Sequence, residues 1–150
     1  MSKDNEIQFE TDVNKVLLKD GIEKIDLLDE NQEHTKFSDL KKISNNNSWV
    51  KRVVYNEIFA AHLICQKPGE TNRTHFHKKD DEWWVVLEGK IIWWIDGKEL
   101  LAKQGDIVFV PRGKNHKIKT IGSKNSIRLA ISPPDIPHYH PKIDPTPDEF

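Results

Sequence analysis

Four side chains in two short stretches of this chain are of the types that hold a divalent transition metal: His75, His77, Glu82 and His116. Imidazole nitrogen and carboxylate oxygen are the donors such ions take. The first stretch, Gly69 to Gly89, contains His75-Phe-His77, then Lys-Lys-Asp-Asp, then Glu82. With one residue between them, His75 and His77 point to the same face of a strand. Glu82 stands just before an apolar run, Trp83 to Leu87. The second stretch begins at Gly105 and ends Pro111-Arg-Gly113-Lys-Asn-His116, so His116 arrives on a later strand after a Pro-x-Gly turn. Three histidines and one glutamate on an octahedral ion leave up to two positions open, as reaction at a metal requires. The set suits Fe(II), Mn(II), Ni(II), Zn(II) or Co(II), and affinity alone does not choose among them.

The pairing of the two stretches resembles the cupin superfamily, in its small single-domain form. The first cupin motif has fixed Gly, His-x-His, Glu and Gly positions, which Gly69, His75, His77, Glu82 and Gly89 match. The second has Gly, Pro-x-Gly, His and a final Asn. Gly105, Pro111, Gly113 and His116 match, and Thr120 stands where the family has Asn. That Asn is not a metal ligand in the family, so the metal reading is unaffected. Glu82, rather than Asp80 or Asp81, is the carboxylate that leaves the motif's spacing before Gly89. The resemblance covers about a third of the chain, from Gly69 to Thr120. It implies a jelly-roll barrel, one metal on the four residues, and Fe(II) as a common choice among the family's dioxygenases. It does not fix the reaction, because one fold hosts many chemistries.

Other residues bear on the pocket. Strand parity from His75 puts Arg73 on the ligand face. A buried guanidinium needs a partner: a protein carboxylate such as Glu70 or Glu88, or an anionic group of a substrate held by two parallel hydrogen bonds. Parity from Glu82 turns Trp84 and Val86 inward, so Trp84, with Trp93 or Trp94, is core filler or an apolar pocket wall. His138 and His140 form a second His-x-His, without a carboxylate at ligand spacing and with proline on both sides. They are expected at the barrel mouth at most, not as a separate metal site. His34 and His62 default to surface or core. Cys65, in the apolar run Ile58 to Cys65, reads as a small core residue.

The elements that must position these groups are mostly strands. Trp49 to Tyr55, Ile58 to Gln66, Arg73 to His77, Glu82 to Leu87, Lys90 to Ile95, Lys98 to Ala102, Ile107 to Val110, His116 to Ile121 and Ser126 to Ser132 are β-rich runs between turns. Asp96-Gly97 is a hairpin signal, because both central residues of a type I′ turn need positive φ. Short, evenly spaced strands with little helix indicate an all-β fold, a barrel or jelly roll. Residues 1 to about 12 read as loose, Val13 to Leu28 as a short helix or strand, and Lys41 to Ser48 as an Asn-rich surface loop. The tail, Pro133 to Phe150, holds six of the eight prolines and is expected to be extended on the surface or partly disordered. The expected division is an N-terminal extension packing on the barrel (residues 1–48), the barrel (49–132) and the tail (133–150). Trp83 to Leu87 and Ile91 to Ile95 are apolar on both faces, whereas a sheet facing solvent should alternate. The second face must be covered by the N-terminal segment or by a second subunit, and a homodimer through sheet faces is expected.

With 23 basic and 24 acidic residues the charges nearly cancel, so no global field draws the chain to nucleic acid or an anionic membrane. No run is long and apolar enough to span a bilayer, and the N-terminal residues lack a secretory apolar segment. With one cysteine, these features lead to an expectation of the reducing cytoplasm. Three functional readings follow. The first is a metal-dependent enzyme acting on a small, anionic organic acid, with Fe(II)-type dioxygenation as the named reaction. The second is a metal-dependent lyase, decarboxylase or isomerase. The third is a non-catalytic protein that binds a small metabolite.

Overall fold

The structure, a computed structural model, describes residues 7–25, 29–42 and 47–150. Residues 1–6, residues 26–28 of the ambiguous Val13 to Leu28 stretch, and half of the expected Asn-rich loop (43–46) lie outside the described residues. The elements in chain order are β1 (Ile7–Glu10), α1 (Val13–Lys19), β2 (Glu23–Lys24), α2 (Phe37–Lys41), β3 (Trp49–Tyr55), β4 (Ala60–Gln66), β5 (Glu82–Glu88), β6 (Lys90–Ile95), β7 (Lys98–Lys103), β8 (Ile107–Val110), β9 (His116–Ile121), β10 (Ser126–Ser132) and β11 (His138–Pro141). They form a six-stranded sheet ordered β2-β3-β4-β10-β5-β8, a three-stranded sheet ordered β7-β6-β9 and a β1-β11 pair. This is the all-β jelly roll that the resemblance implied.

Several strands form where the β-branched and aromatic runs put them, including β3, β6 and β10. The β6–β7 hairpin turns at Asp96 and Gly97, with φ of 41° and 91°, the positive pair that the sequence predicts. Burial along β5 alternates as parity requires: Glu82, Trp84 and Val86 are buried, while Trp83, Val85 and Leu87 are not. Gly89 follows at φ 78°, and a Cβ there would come within 2.7 Å of the Asn125 carbonyl oxygen.

One expected strand is not a strand. Residues 73–77 make only isolated bridges, His75 to His116 and Phe76 to Tyr139, with Thr71 to Lys119 just before them. Adjacent residues send their backbone bonds in opposite directions, so this segment joins β9 on one side to β11 on the other. It thereby knits the three-stranded sheet to the β1-β11 pair. The tail is also more regular than its prolines suggest. Pro137 precedes β11 and Pro141 closes it, and the strand pairs with β1 from Ile7↔Pro141 to Glu10↔His138. The first residues described, expected to be loose, are that partner strand.

Two apolar clusters lie on opposite faces of the large sheet. One fills the barrel, with Trp84, Val86, Ile91 and Trp93, and takes in Leu17 and Ile22 from α1 and its exit. Helix α1 starts at Asp12, whose carboxylate accepts from the Asn14 and Lys15 amides as an N-cap. The other cluster gathers Trp49, Leu63, Cys65 and Ile127 under Leu40 of α2, with Leu87 and Leu129 at its margin. The N-terminal segment thus covers part of the outer face. On the three-stranded sheet, Ile92 and Trp94 pair with Lys119 and Lys117. The Lys119 ammonium donates to the Phe150 carbonyl oxygen (2.8 Å) and Lys117 reaches Asp144, so the tail crosses that face.

Candidate metal centre

His75 and His116 face each other across the bridge, each backbone amide donating to the other's carbonyl at 3.1 and 2.9 Å. Their ring centroids are 4.2 Å apart. His77 follows two residues after His75. Its carbonyl accepts from the Gly113 amide at 2.6 Å, tying the first motif to the Pro-x-Gly turn of the second. Glu82 opens β5 opposite Val110. All four side chains are buried, and one donor atom from each lies within 4.8 Å of every other.

The outer nitrogens are already committed. His75 Nδ1 bonds to the Arg73 carbonyl (3.1 Å), His116 Nδ1 to the Lys114 carbonyl (3.0 Å) and His77 Nδ1 to the Pro137 carbonyl (2.8 Å). A carbonyl only accepts, so each Nδ1 carries the hydrogen, which leaves Nε2 of the neutral His75 and His116 with its lone pair. This is how metal-bound histidines are oriented. Burial pushes the His75 imidazole well below its ordinary value, helped by its histidine neighbours. Burial likewise takes His116 down to about 4, against the pull of Glu82. Both are neutral at physiological pH. His77 and Glu82 differ, since His77 Nε2 lies 3.1 Å from Glu82 Oε1. Burial lowers His77 most, but the bond to Glu82, that carboxylate's charge and the Pro137 carbonyl together raise it. Burial raises Glu82, and His77 overcomes that and lowers it. The metal-free pair therefore holds a proton that an ion would replace. His116 Nε2 is buried without a hydrogen-bond partner. Three inward imidazole nitrogens, one of them an orphaned acceptor, and one carboxylate fit a divalent cation.

The neighbouring aspartates are differently placed. Asp81 accepts from Arg112, from both its amide and its guanidinium, at the surface. Trp84 lies with its ring 5.7 Å from His116 and lines a cavity of about 40 Å³ with His75 and Glu82. That volume suits only a short ligand.

Arg73 departs from expectation. Its Nε donates to Asp20 Oδ1 at 2.6 Å and a terminal nitrogen to the Val16 carbonyl at 3.3 Å, so it faces α1. It is absent from the cavity lining. A carboxylate does hold it, but one from the helix cap rather than Glu70 or Glu88. Parity failed because residues 72–74 are not a strand, and alternation from His75 does not reach back to Arg73.

Three groups near the cavity were not assigned to the site by sequence, although His138 was expected at the barrel mouth. His138, on β11, sits 4.7 Å from the His75 ring and 4.6 Å from that of His77, and burial takes it down to about 3. Its His-x-His spacing was visible, but not the pairing with β1 that lays it over the ligands. His62, on β4, and Arg128, on β10, also line the cavity. In Ser126-Ile-Arg-Leu-Ala-Ile-Ser132 the alternation reveals two faces, but the apolar one reads as core, whereas the structure turns Arg128 inward. His140 is buried, with Nδ1 on the Thr74 carbonyl. Cys65 is a buried free thiol pushed up to about 11, first by burial.

A family model described as a cupin domain matches residues 62–132, the stretch that includes all four candidate ligands. Residues 62–132 are a cupin domain. The chain is 28% identical over 85 residues to the tetracenomycin polyketide synthase protein TcmJ of Streptomyces glaucescens, a match covering 53% of this chain and 57% of that protein. It is 26% identical over 81 residues to the oxalate-binding protein of Thermotoga maritima, covering 54% of this cupin and 67% of the relative. The cupin thus spans little more than half of TcmJ's length. The Thermus thermophilus protein TT1209 superposes with a TM-score of 0.60 at 23% identity, covering 69% of this cupin and 98% of that chain, a shared fold. No helix among the described residues is long and apolar enough to cross a membrane.

Proposed function

We propose that this cupin binds one divalent transition metal, Fe(II) in its working form, through His75, His77, Glu82 and His116, and dioxygenates a small organic acid. The observation that carries the reading is the inward aim of three imidazole nitrogens, each locked by a backbone carbonyl, beside one carboxylate at a small cavity. A metal held there supplies Lewis-acid and oxygen-activating chemistry at open coordination positions. The protein's own part is to keep His75 and His116 neutral by burial, to hold Glu82 against His77, and to limit the space with Trp84. The cavity volume of about 40 Å³ favours a small substrate, and the oxalate-binding relative supports an acidic one. That same relative favours a second reading, a binding protein without turnover.

The test is oxygen uptake by Fe(II)-loaded protein presented with short-chain mono- and dicarboxylic acids. Uptake in proportion to acid consumed is expected. Turnover without oxygen uptake moves the assignment to a lyase, decarboxylase or isomerase, and saturable binding without turnover moves it to a binding protein.

The buried free thiol of Cys65 supports a reducing, cytoplasmic setting. Pairing of two copies is supported by the β8 edge of the large sheet. There Ile107 and Phe109 are 67% and 55% exposed, and Trp83, across from Phe109, is 38% exposed. An apolar edge strand of this kind is a template for a second chain.

A further inference from the structure

We propose that Arg128 and Gln66 form an anion subsite inside the barrel, which holds a carboxylate of a small ligand whose other end faces the metal ligands. The inference deepens the reading of the cavity as a metal-dependent ligand site and rests on it. Arg128 is 2% exposed on β10, between β4 and β5. Gln66, at the end of β4 opposite Ser126, is 0% exposed. One guanidinium nitrogen of Arg128 donates to Gln66 Oε1 at 2.6 Å. Two buried nitrogens of this pair then lack partners: Arg128 Nε and Gln66 Nε2. Both are donors, so what they lack is an acceptor.

The other arginines make the point sharper. Arg52 pairs with Glu30, Arg73 with Asp20 and Arg112 with Asp81. Among the described residues Arg128, the most deeply buried of the four, has a neutral amide instead of a carboxylate. Burial pulls it down to about 10, which leaves it charged at physiological pH. Glu82 and Asp20 attract it without hydrogen-bonding it; a buried guanidinium with no bonded anion is costly, and its planar fork matches a carboxylate. Arg128 lines the same cavity as His75, Glu82 and Trp84. A ligand filling a cavity of about 40 Å³ between the cation and the metal ligands is therefore short. The charge complement that Arg73 was expected to supply comes from β10.

The experiment is calorimetric titration of metal-loaded protein with sodium oxalate, and with oxamide as its uncharged counterpart. Oxalate should bind at least ~10-fold more tightly, the scale of one charge-assisted hydrogen bond. Gln66→Glu is nearly isosteric and places an internal carboxylate on Arg128; it should weaken oxalate at least ~10-fold, with metal content unchanged. Arg128→Lys should do the same, because the charge remains and the fork is lost. Should Arg128→Lys fail to fold, Gln66→Glu alone decides. Equal binding of oxalate and oxamide by the wild type, or oxalate binding unchanged in Gln66→Glu, overturns the subsite. Elemental analysis of the same samples reports separately on the metal reading, which stands or falls by metal content and not by these affinities.

Discussion

His77 is the residue on which loading of the site turns. Its Nδ1 is held by Pro137 and its Nε2 shares a proton with Glu82, whereas His75 and His116 are already neutral. The sign of the pH dependence follows. His77 is raised, so its partnership with Glu82 stabilises the metal-free protein below the ordinary histidine range and is lost as pH rises through the folded value. Glu82 is depressed, so its contribution is present above the ordinary carboxylate range and is lost as pH falls through the folded value. A metal must displace the His77 proton. Affinity should therefore climb as pH rises through the raised His77 value and flatten above it, with about one proton released per ion on the acid side. Chelator competition across pH, with calorimetry in buffers of different ionisation enthalpy, measures both; a flat profile would contradict the shared proton. The candidate four-donor set was legible in the sequence through residue type, spacing and the match to the two cupin motifs. Arg73 was misread because parity needs an unbroken strand. Arg128 was missed because alternation does not say which face is inward.

The element that binds the ligands to the rest of the chain is β11. It lays His138 over the ligand rings, and Pro137 immediately before it supplies the carbonyl that orients His77. Neither was legible in a tail whose prolines argue for extended surface chain, because β11 depends on a partner strand near the other end of the sequence. The local elements were readable: the Asp96-Gly97 hairpin and the inward Trp84 need only neighbours to form. A variant ending at Ile136 should keep the barrel strands, visible in circular dichroism as a β signature lessened only by the lost β1–β11 pair. It should bind metal ~10–100-fold more weakly, the usual loss when a ligand's orienting partner is removed. Undiminished affinity would mean that the Pro137 carbonyl does not orient His77.

At the scale of the whole molecule, the doubly apolar strands required cover that the sequence could not assign. The structure divides it: α2 lies over Leu87 and Leu129, and the tail crosses β9. The β5–β8 end keeps Trp83, Ile107 and Phe109 exposed. If two copies pair there, light scattering at micromolar concentration should report twice the 17.5 kDa chain mass. The contact should bury roughly 1,600 Å² in total. A Trp83→Lys, Phe109→Lys double variant should be monomeric with unchanged metal content. A monomeric wild type would reject the pairing and leave the candidate metal centre untouched, since all four donor residues come from one chain.

The central claim is that His75, His77, Glu82 and His116 hold one divalent ion, and elemental analysis of protein purified without chelator tests it most directly. The account predicts about one transition-metal ion per chain in the wild type, from the single four-donor set. In a His75→Ala, His77→Ala double variant, with two of the four donors gone, the content should fall to near zero. Equal metal content in the two proteins would contradict it.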